Sequence, residues 1–345
     1  MIKGISLFSG AGGLDVGAEL AGVEITHCIE IDHDSAETLR LNSTNSFKKI
    51  LELDIKLVDF SDMKTTSKMI VFGGPPCQPF SKNGYWVKNE NRLIEKDPRN
   101  LIDQFMRAVE EVQPTGFLFE NVDSILHPSN KAAIERLHLT AKSLGYSAKL
   151  YRANSADFGV PQKRKRVFVF GVKGENLEIP DPAITHLDPT KKITDVDTLP
   201  LHLGVGKFIE PYSDERYSEP SEVAAYGTYF HELSNVIPGR NYMSLLNLSN
   251  YTGKTFKSGG RFWNFLFKLH PDEPSITIAA QPGPWVGPFH WNNRRLRVPE
   301  IAAIQTFPKN YNFHGTRRSI QRQIGNAVPC LLGQKMIEHL LKILP

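Results

Sequence analysis

The sequence predicts an α/β fold: a doubly wound, mainly parallel sheet, with a second, smaller and irregular domain beside it. Three observations carry this. Short apolar runs alternate with amphipathic stretches through about the first 175 residues. A glycine turn follows the first run and opens the first helix. From about residue 178 the alternation stops, and proline, aromatic and turn residues take over.

Taken in order, "KGISLF" is a first strand and "GLDVGAELAG" a helix that enters after glycines and stops at Gly22. "EITHCIEID" is a second strand. Residues 34–42, with Ala36, Leu39 and Leu41, are helical, and "KKILELDI" and "MIVFGG" are the third and fourth strands. Leu101, Phe105, Ala108 and Val112 keep helical spacing between two prolines. "GFLFENV" is a fifth strand, "NKAAIERLHLTAKSLG" a helix ending at glycine, and "RVFVFGV" a further strand. Residues 180–275 lack clear periodicity, and the tail turns helical again in "VPEIAAIQTFP" and "AVPCLLGQKMIEHLLKILP". The expected division is 1–178, 179–275 and 276–345, the last segment returning to the first.

With 345 residues, 40% apolar and 23% charged, the chain can bury a large core. Its apolar runs fall short of the ~18 residues that a membrane span needs. The N-terminus reads as a strand rather than a secretion signal. Cys28, Cys77 and Cys330 are few, odd in number and far apart, so no disulfide framework is expected and a reducing cytoplasm is. No Cys/His cluster has zinc spacing, and no metal is expected. The net charge is +4, unevenly spread: residues 276–345 carry 9 Lys+Arg against 2 Asp+Glu. Such a tail suits a polyanion as readily as a solvated basic face.

Four stretches carry chemistry. In "LFSGAGGLD", Gly10, Gly12 and Gly13 allow a tight turn and close approach of a ligand. Glu30, twenty residues past Gly10, ends the second strand where an acid holds ribose hydroxyls. The third glycine of a dinucleotide fingerprint is absent, so the pocket suits a nucleoside; a plain βα turn is the alternative. "GGPPCQPFS" sets Cys77 after the fourth strand among prolines that fix the backbone. This is the place for a thiolate nucleophile, the alternative being a buried structural cysteine. "FLFENV" ends in Glu120, where desolvation would raise the carboxyl enough to donate a proton; a solvent-facing strand end is the alternative. "QKRKRVF" sends Gln162, Arg164 and Arg166 to one face.

In this order, with "RRLRVPEIAAIQTFP" and "QIGNAVP" following, these blocks resemble the DNA (cytosine-5)-methyltransferases, over about 1–178 and 268–336. The resemblance implies a Rossmann-like, S-adenosylmethionine-dependent methyltransferase domain with S-adenosylhomocysteine as product. It implies a flipped-out cytosine in double-stranded DNA as substrate, with residues 180–267 as a target-recognition region. Cys77 would be the nucleophile, Glu120 would hold N3 of the cytosine, and Arg164 and Arg166 its O2. Phe8, Gly10, Gly12, Gly13, Glu30, Ile31, Asp54, Pro76 and Asn326 would line the cofactor. Gln78, Ser81, Gln162 and Arg294, with Arg240, Lys254, Lys257 and Arg261, would meet DNA; Trp263 reads first as core. A monomer is expected, acting as the modification half of a restriction–modification system with a cognate endonuclease. An RNA cytosine methyltransferase on the same scaffold is the nearest alternative. A nicotinamide oxidoreductase is a further one, although the glycine spacing and Cys77 disfavour it.

Overall fold

The computed structural model describes residues 2–43, 48–65, 67–76, 101–191, 198–222, 227–246 and 263–345. Seven strands form one sheet in the order β3-β2-β1-β4-β5-β7-β6. They are β1 (Ile2–Leu7), β2 (Val23–Glu30), β3 (Lys49–Glu52), β4 (Met69–Gly73), β5 (Gly116–Val122), β6 (Tyr146–Asn154) and β7 (Lys165–Lys173). The first five run parallel; β7 runs antiparallel to both β5 and β6. Strand order reverses between β1 and β4, and open α/β sheets bind ligands at such a reversal.

Six of the strands fall on the runs expected. The seventh, β6, was not anticipated, because "YSAKLYRAN" lies at the sheet edge, half-buried along most of its length, and shows neither a continuous apolar run nor alternation. The central strands carry the opposite signature: β4 is buried throughout and β5 along all but its last residue.

Successive side chains point to opposite faces, so the sheet is covered twice. Met69, Val71, Phe117 and Phe119 join one cluster with Phe105 of α3 (Ile102–Val112) and Leu137 of α4 (Lys131–Ser143). Ile70, Phe72 and Leu118 join another with Leu14 and Ala18 of α1 (Gly13–Leu20). Helix α2 (His33–Leu41) follows β2 and adds Leu39 to this second cluster.

Three short helices punctuate the irregular stretch: α5 (Gly206–Ile209), α6 (Phe230–Asn235) and α7 (Met243–Leu246). Leu233, Val236, Tyr242, Leu245, Leu266 and Phe289 form a small core of their own there, with Trp285 against it. Trp263, read first as core, is 54% exposed. The chain then returns through α8 (Val298–Ile304), α9 (Arg317–Asn326) and α10 (Cys330–Ile343). Helix α10 packs on α1 and buries Leu332, Met336, Ile337 and Leu340 completely. At about 1.5–3 kcal/mol for each buried aliphatic side chain, this firmly binds the end of the chain to its beginning. No helix among the described residues is long and apolar enough to cross a membrane.

Candidate active site

A cavity of about 460 Å³ opens where the strand order reverses. Its walls come from the ends of β1, β2, β4, β5 and β7 and from the close of α9. Of the expected site residues, Phe8, Gly10, Gly13, Glu30, Ile31, Asp54, Pro76, Glu120, Arg166 and Asn326 line it together.

The turn after β1 builds one wall. Gly10 has φ +54°, a left-handed conformation that glycine adopts without strain, and a Cβ there would meet nothing within 4 Å. Its N–H donates to Glu30 Oε2 at 2.7 Å, while Glu30 Oε1 accepts from the N–H groups of Ile31 at 2.9 Å and Asp32 at 2.8 Å. Burial raises the Glu30 carboxyl above its ordinary value, against these amides. An acid is therefore fixed at the β2 end, aimed across the turn. Asp54 stands beside it, turned to accept from Lys56 N–H at 3.0 Å. Gly12, expected on the wall, sits behind it: a Cβ there would lie 2.6 Å from the Tyr311 hydroxyl.

The opposite wall holds the charged pair. Glu120 Oε1 lies 2.9 Å from Arg166 Nε, and each residue is 9% exposed. Burial raises the Glu120 carboxyl, opposed by the Arg166 and Arg164 guanidiniums. The backbone after β4 passes directly over this carboxyl. A side chain at Gly74 would collide with Glu120 Oε2, so only glycine fits there. Asn121 Nδ2 donates to Pro75 O at 3.1 Å and holds the same loop from beneath. The loop reaches the cavity at Pro76. Cys77, Gln78 and Ser81 follow it and lie outside the described residues, as do Lys254, Lys257 and Arg261.

Three expected contacts take other places. Arg164 is 1% exposed and donates to the carbonyls of Ile278 (3.2 Å), Gly325 (2.7 Å) and Asn326 (3.4 Å), so it ties three segments together and does not line the cavity. Gln162 is fully buried: its amide donates to Gln305 Oε1 at 2.7 Å and accepts from Ile278 N–H at 3.0 Å, which removes it from any DNA surface. Arg294 forms a forked pair with Glu300 at 2.8 and 2.6 Å within a buried ionic network, so it is not a free DNA contact. In that network Arg297 donates to Glu222 at 2.6 Å and to the carbonyls of Tyr212 and Asp214. Arg240 is exposed, and among the described residues its guanidinium bonds only its neighbour's carbonyl.

Other wall and support residues escaped the sequence reading. Gln305 Nε2 donates to Ile324 O at 2.6 Å, shaping the loop that presents Asn326. The Tyr311 hydroxyl donates to Ala11 O at 2.7 Å, pinning the glycine turn. Arg322 lines the cavity and pairs with Asp32 at 2.7 Å. No local pattern marks such residues, because each acts on a partner far off in sequence.

Comparison with known proteins agrees with this geometry. The chain is 35% identical to the Type II methyltransferase M.SacI of Streptomyces achromogenes, covering 98% of this chain and 92% of the relative. It is 30% identical to the Type II methyltransferase M1.HphI of Haemophilus parahaemolyticus, covering 98% and 86%. The fold matches that of Spodoptera frugiperda DNMT2 with a TM-score of 0.64 at 18% identity, over 100% of this chain and 99% of that one. The family model for C-5 cytosine-specific DNA methylases matches residues 2–342, so the chain belongs to that family and is a DNA (cytosine-5)-methyltransferase.

Proposed function

We propose that the cavity binds S-adenosylmethionine and that the chain methylates C5 of a cytosine flipped out of double-stranded DNA, through a covalent bond between Cys77 and C6. The single observation that carries this is the buried Glu120–Arg166 pair beside Pro76, in one cavity with the glycine turn and Glu30.

The residues fit the cofactor. Gly10 leaves open space, Glu30 offers a carboxylate for ribose hydroxyls, and Ile31 and Phe8 give apolar walls for a purine. When bound, S-adenosylmethionine supplies an electrophilic methyl group.

The chain's own residues do the rest. C5 of cytosine is a weak nucleophile. Addition of the Cys77 thiolate to C6 places electron density on C5 and on the N3–C2–O2 side of the ring. Glu120 holds N3 and donates a proton to it. Its raised carboxyl suits that task, and Arg166 offsets charge at O2. After C5 takes the methyl group, a base removes the C5 proton. The electron pair of the C5–H bond re-forms the C5–C6 double bond, the thiolate leaves, and N3 returns its proton to the Glu120 carboxylate. The prolines around Cys77 restrict the loop that presents the sulfur.

Swinging the base out costs a few kcal/mol. Arg240, Lys254, Lys257 and Arg261 are proposed to meet DNA, within a recognition region spanning about 179–275 between the catalytic segment 1–178 and the returning tail 276–345. The Type II relatives support a role as the modification enzyme of a restriction–modification system; the chain is proposed to act as a monomer, beside an endonuclease of the same specificity. Cys28 and Cys330 are buried free thiols, in keeping with a reducing cytoplasm.

The test uses a duplex carrying 5-fluorocytosine at the target. With no C5 proton to lose, the unaltered protein should be trapped on DNA as a denaturation-resistant adduct that depends on S-adenosylmethionine. Cys77→Ala should still bind DNA and give no adduct. An adduct from Cys77→Ala overturns the nucleophile; labelling of tRNA but not DNA moves the substrate to RNA.

A further inference from the structure

The cavity's charges are unbalanced in a way that points to one side chain. Among the described residues its walls carry five carboxylates, Asp15, Glu30, Asp32, Asp54 and Glu120, against three cations, Lys56, Arg166 and Arg322. S-adenosylmethionine brings a sulfonium, an ammonium and one carboxylate. The acids suit the two positive groups; the carboxylate needs a donor of its own.

Two of the cations are poorly placed. Arg166 is paired with Glu120 at 2.9 Å, in the wall where the cytosine is expected. Lys56 also borders a separate surface hollow with Leu57 and Arg107.

Arg322 is differently placed. It lies one helical turn before Asn326 on α9, so the two share a face, and both line the cavity. The close of α9 abuts the start of α1, where a Cβ on Gly13 would lie 2.3 Å from the Val328 carbonyl oxygen. One edge of the guanidinium is anchored: Nη2 donates to Asp32 Oδ2 at 2.7 Å. Asp32 is itself fixed as the cap of α2, accepting from Ser35 N–H at 3.1 Å and Ser35 Oγ at 2.8 Å. Among the described residues Asp32 is the only polar partner of Arg322, which leaves Nε and Nη1 to donate.

We propose that Arg322, steadied by Asp32, binds the α-carboxylate of the S-adenosyl amino acid and so sets the preference for the complete amino-acid cofactor over its truncated nucleoside. The proposal rests on the cofactor reading above, and its test separates the two.

Two ligands are titrated calorimetrically: S-adenosylhomocysteine, and 5′-methylthioadenosine, which keeps the nucleoside thioether and lacks the amino acid. The unaltered protein should bind the first more tightly. Arg322→Gln should weaken S-adenosylhomocysteine about 10- to 100-fold, the range for a bond to a charged group, and leave 5′-methylthioadenosine unchanged. Arg322→Lys should recover part of the loss. The side chain is 38% exposed and its ion pair lies at the surface, so the variant should fold; retained 5′-methylthioadenosine binding confirms that it has. Equal weakening of both ligands makes Arg322 a mere brace of the cavity and overturns the proposal, as does unchanged S-adenosylhomocysteine affinity. Binding of neither ligand by the unaltered protein overturns the cofactor reading, and this proposal with it.

Discussion

The carboxyl end of the sheet and the block from Val205 to Arg297 are held together by different forces. The sheet end rests on two continuous apolar clusters, and of its buried charges Asp15, Glu120 and Arg166 line the cavity while Arg164 does not. The other block has a small core of six buried apolar side chains among the described residues, and its junction with α8 combines an apolar cluster, Val205, Ile209, Leu269 and Leu296 against Ile301 and Ile304, with a buried ion network. There Arg297 and Glu222 are 5% and 6% exposed, and Glu300 not at all. Apolar packing has no direction and tolerates change at the surface, whereas a buried ion network works only in one geometry. Chemistry therefore sits on the tolerant scaffold, and the second block adds to its apolar contact with α8 an exacting ionic one that fixes direction.

Glu120→Gln tests the first half and should have the largest effect. It keeps the shape and loses the acid, so the single-turnover rate of the folded protein should fall by about 10²- to 10⁴-fold. In the unaltered enzyme the protonated Glu120 carboxyl acts, and burial raises it. The rate should decline as pH climbs through that raised value, and the variant should lack this limb. A variant with normal rate would remove Glu120 from the chemistry.

Arg297→Met tests the second half. It strands Glu222 and two carbonyls, at a cost of about 3–5 kcal/mol, read as a lowered urea midpoint. Burial pushes the Glu222 carboxyl up, but the Arg297 and Arg294 guanidiniums outweigh it and hold it below its ordinary value. Its stabilisation is thus present above the ordinary carboxylate range and is lost as pH falls through the lowered value. The variant should lose that acid sensitivity and bind DNA more weakly, with S-adenosylhomocysteine affinity kept. Loss of both affinities would mean that the two halves are not separable.

Lys268→Met sharpens the contrast in the opposite sense. Lys268 is 2% exposed, and among the described residues its ammonium reaches only Ser234 O at 3.4 Å. Burial lowers it to about 8. The unfolded chain binds that proton up to its ordinary value, so stability should rise with pH from about 8 towards 10. Lys268→Met should stabilise by about 2 kcal/mol at pH 7, and the gain should vanish near pH 10 in paired urea titrations. The smallest effect belongs to Tyr311→Phe, which frees the Ala11 carbonyl: about 1 kcal/mol, or roughly fivefold in S-adenosylhomocysteine Kd by calorimetry.

The sequence analysis located the cavity well because its residues follow strands whose apolar runs are unmistakable: Gly10 after β1, Glu30 at the end of β2, Glu120 near the end of β5. It could not separate Arg164 from Arg166. Period two holds only within a strand, and β7 begins at Lys165, so Arg164 turns under the returning tail. Gln162 looked like a surface donor because its partner Gln305 lies 143 residues away, and Arg294 because "RRLR" reads as a basic cluster although its forked partner Glu300 stands only six residues on. Helix α9 read only as a basic cluster, since its buried positions include Ser319, Gln323 and Gly325.

The stitch between Gln162 and Gln305, doubled by Arg164 on Gly325, has a consequence for biosynthesis. A nascent polypeptide that has emerged from the ribosome only to residue 300 already owns every strand of the sheet, yet lacks Tyr311, Arg322 and Asn326. Its glycine turn has no clasp and its crevice no far side. Competence should switch on late in translation, after Asn326 clears the exit tunnel.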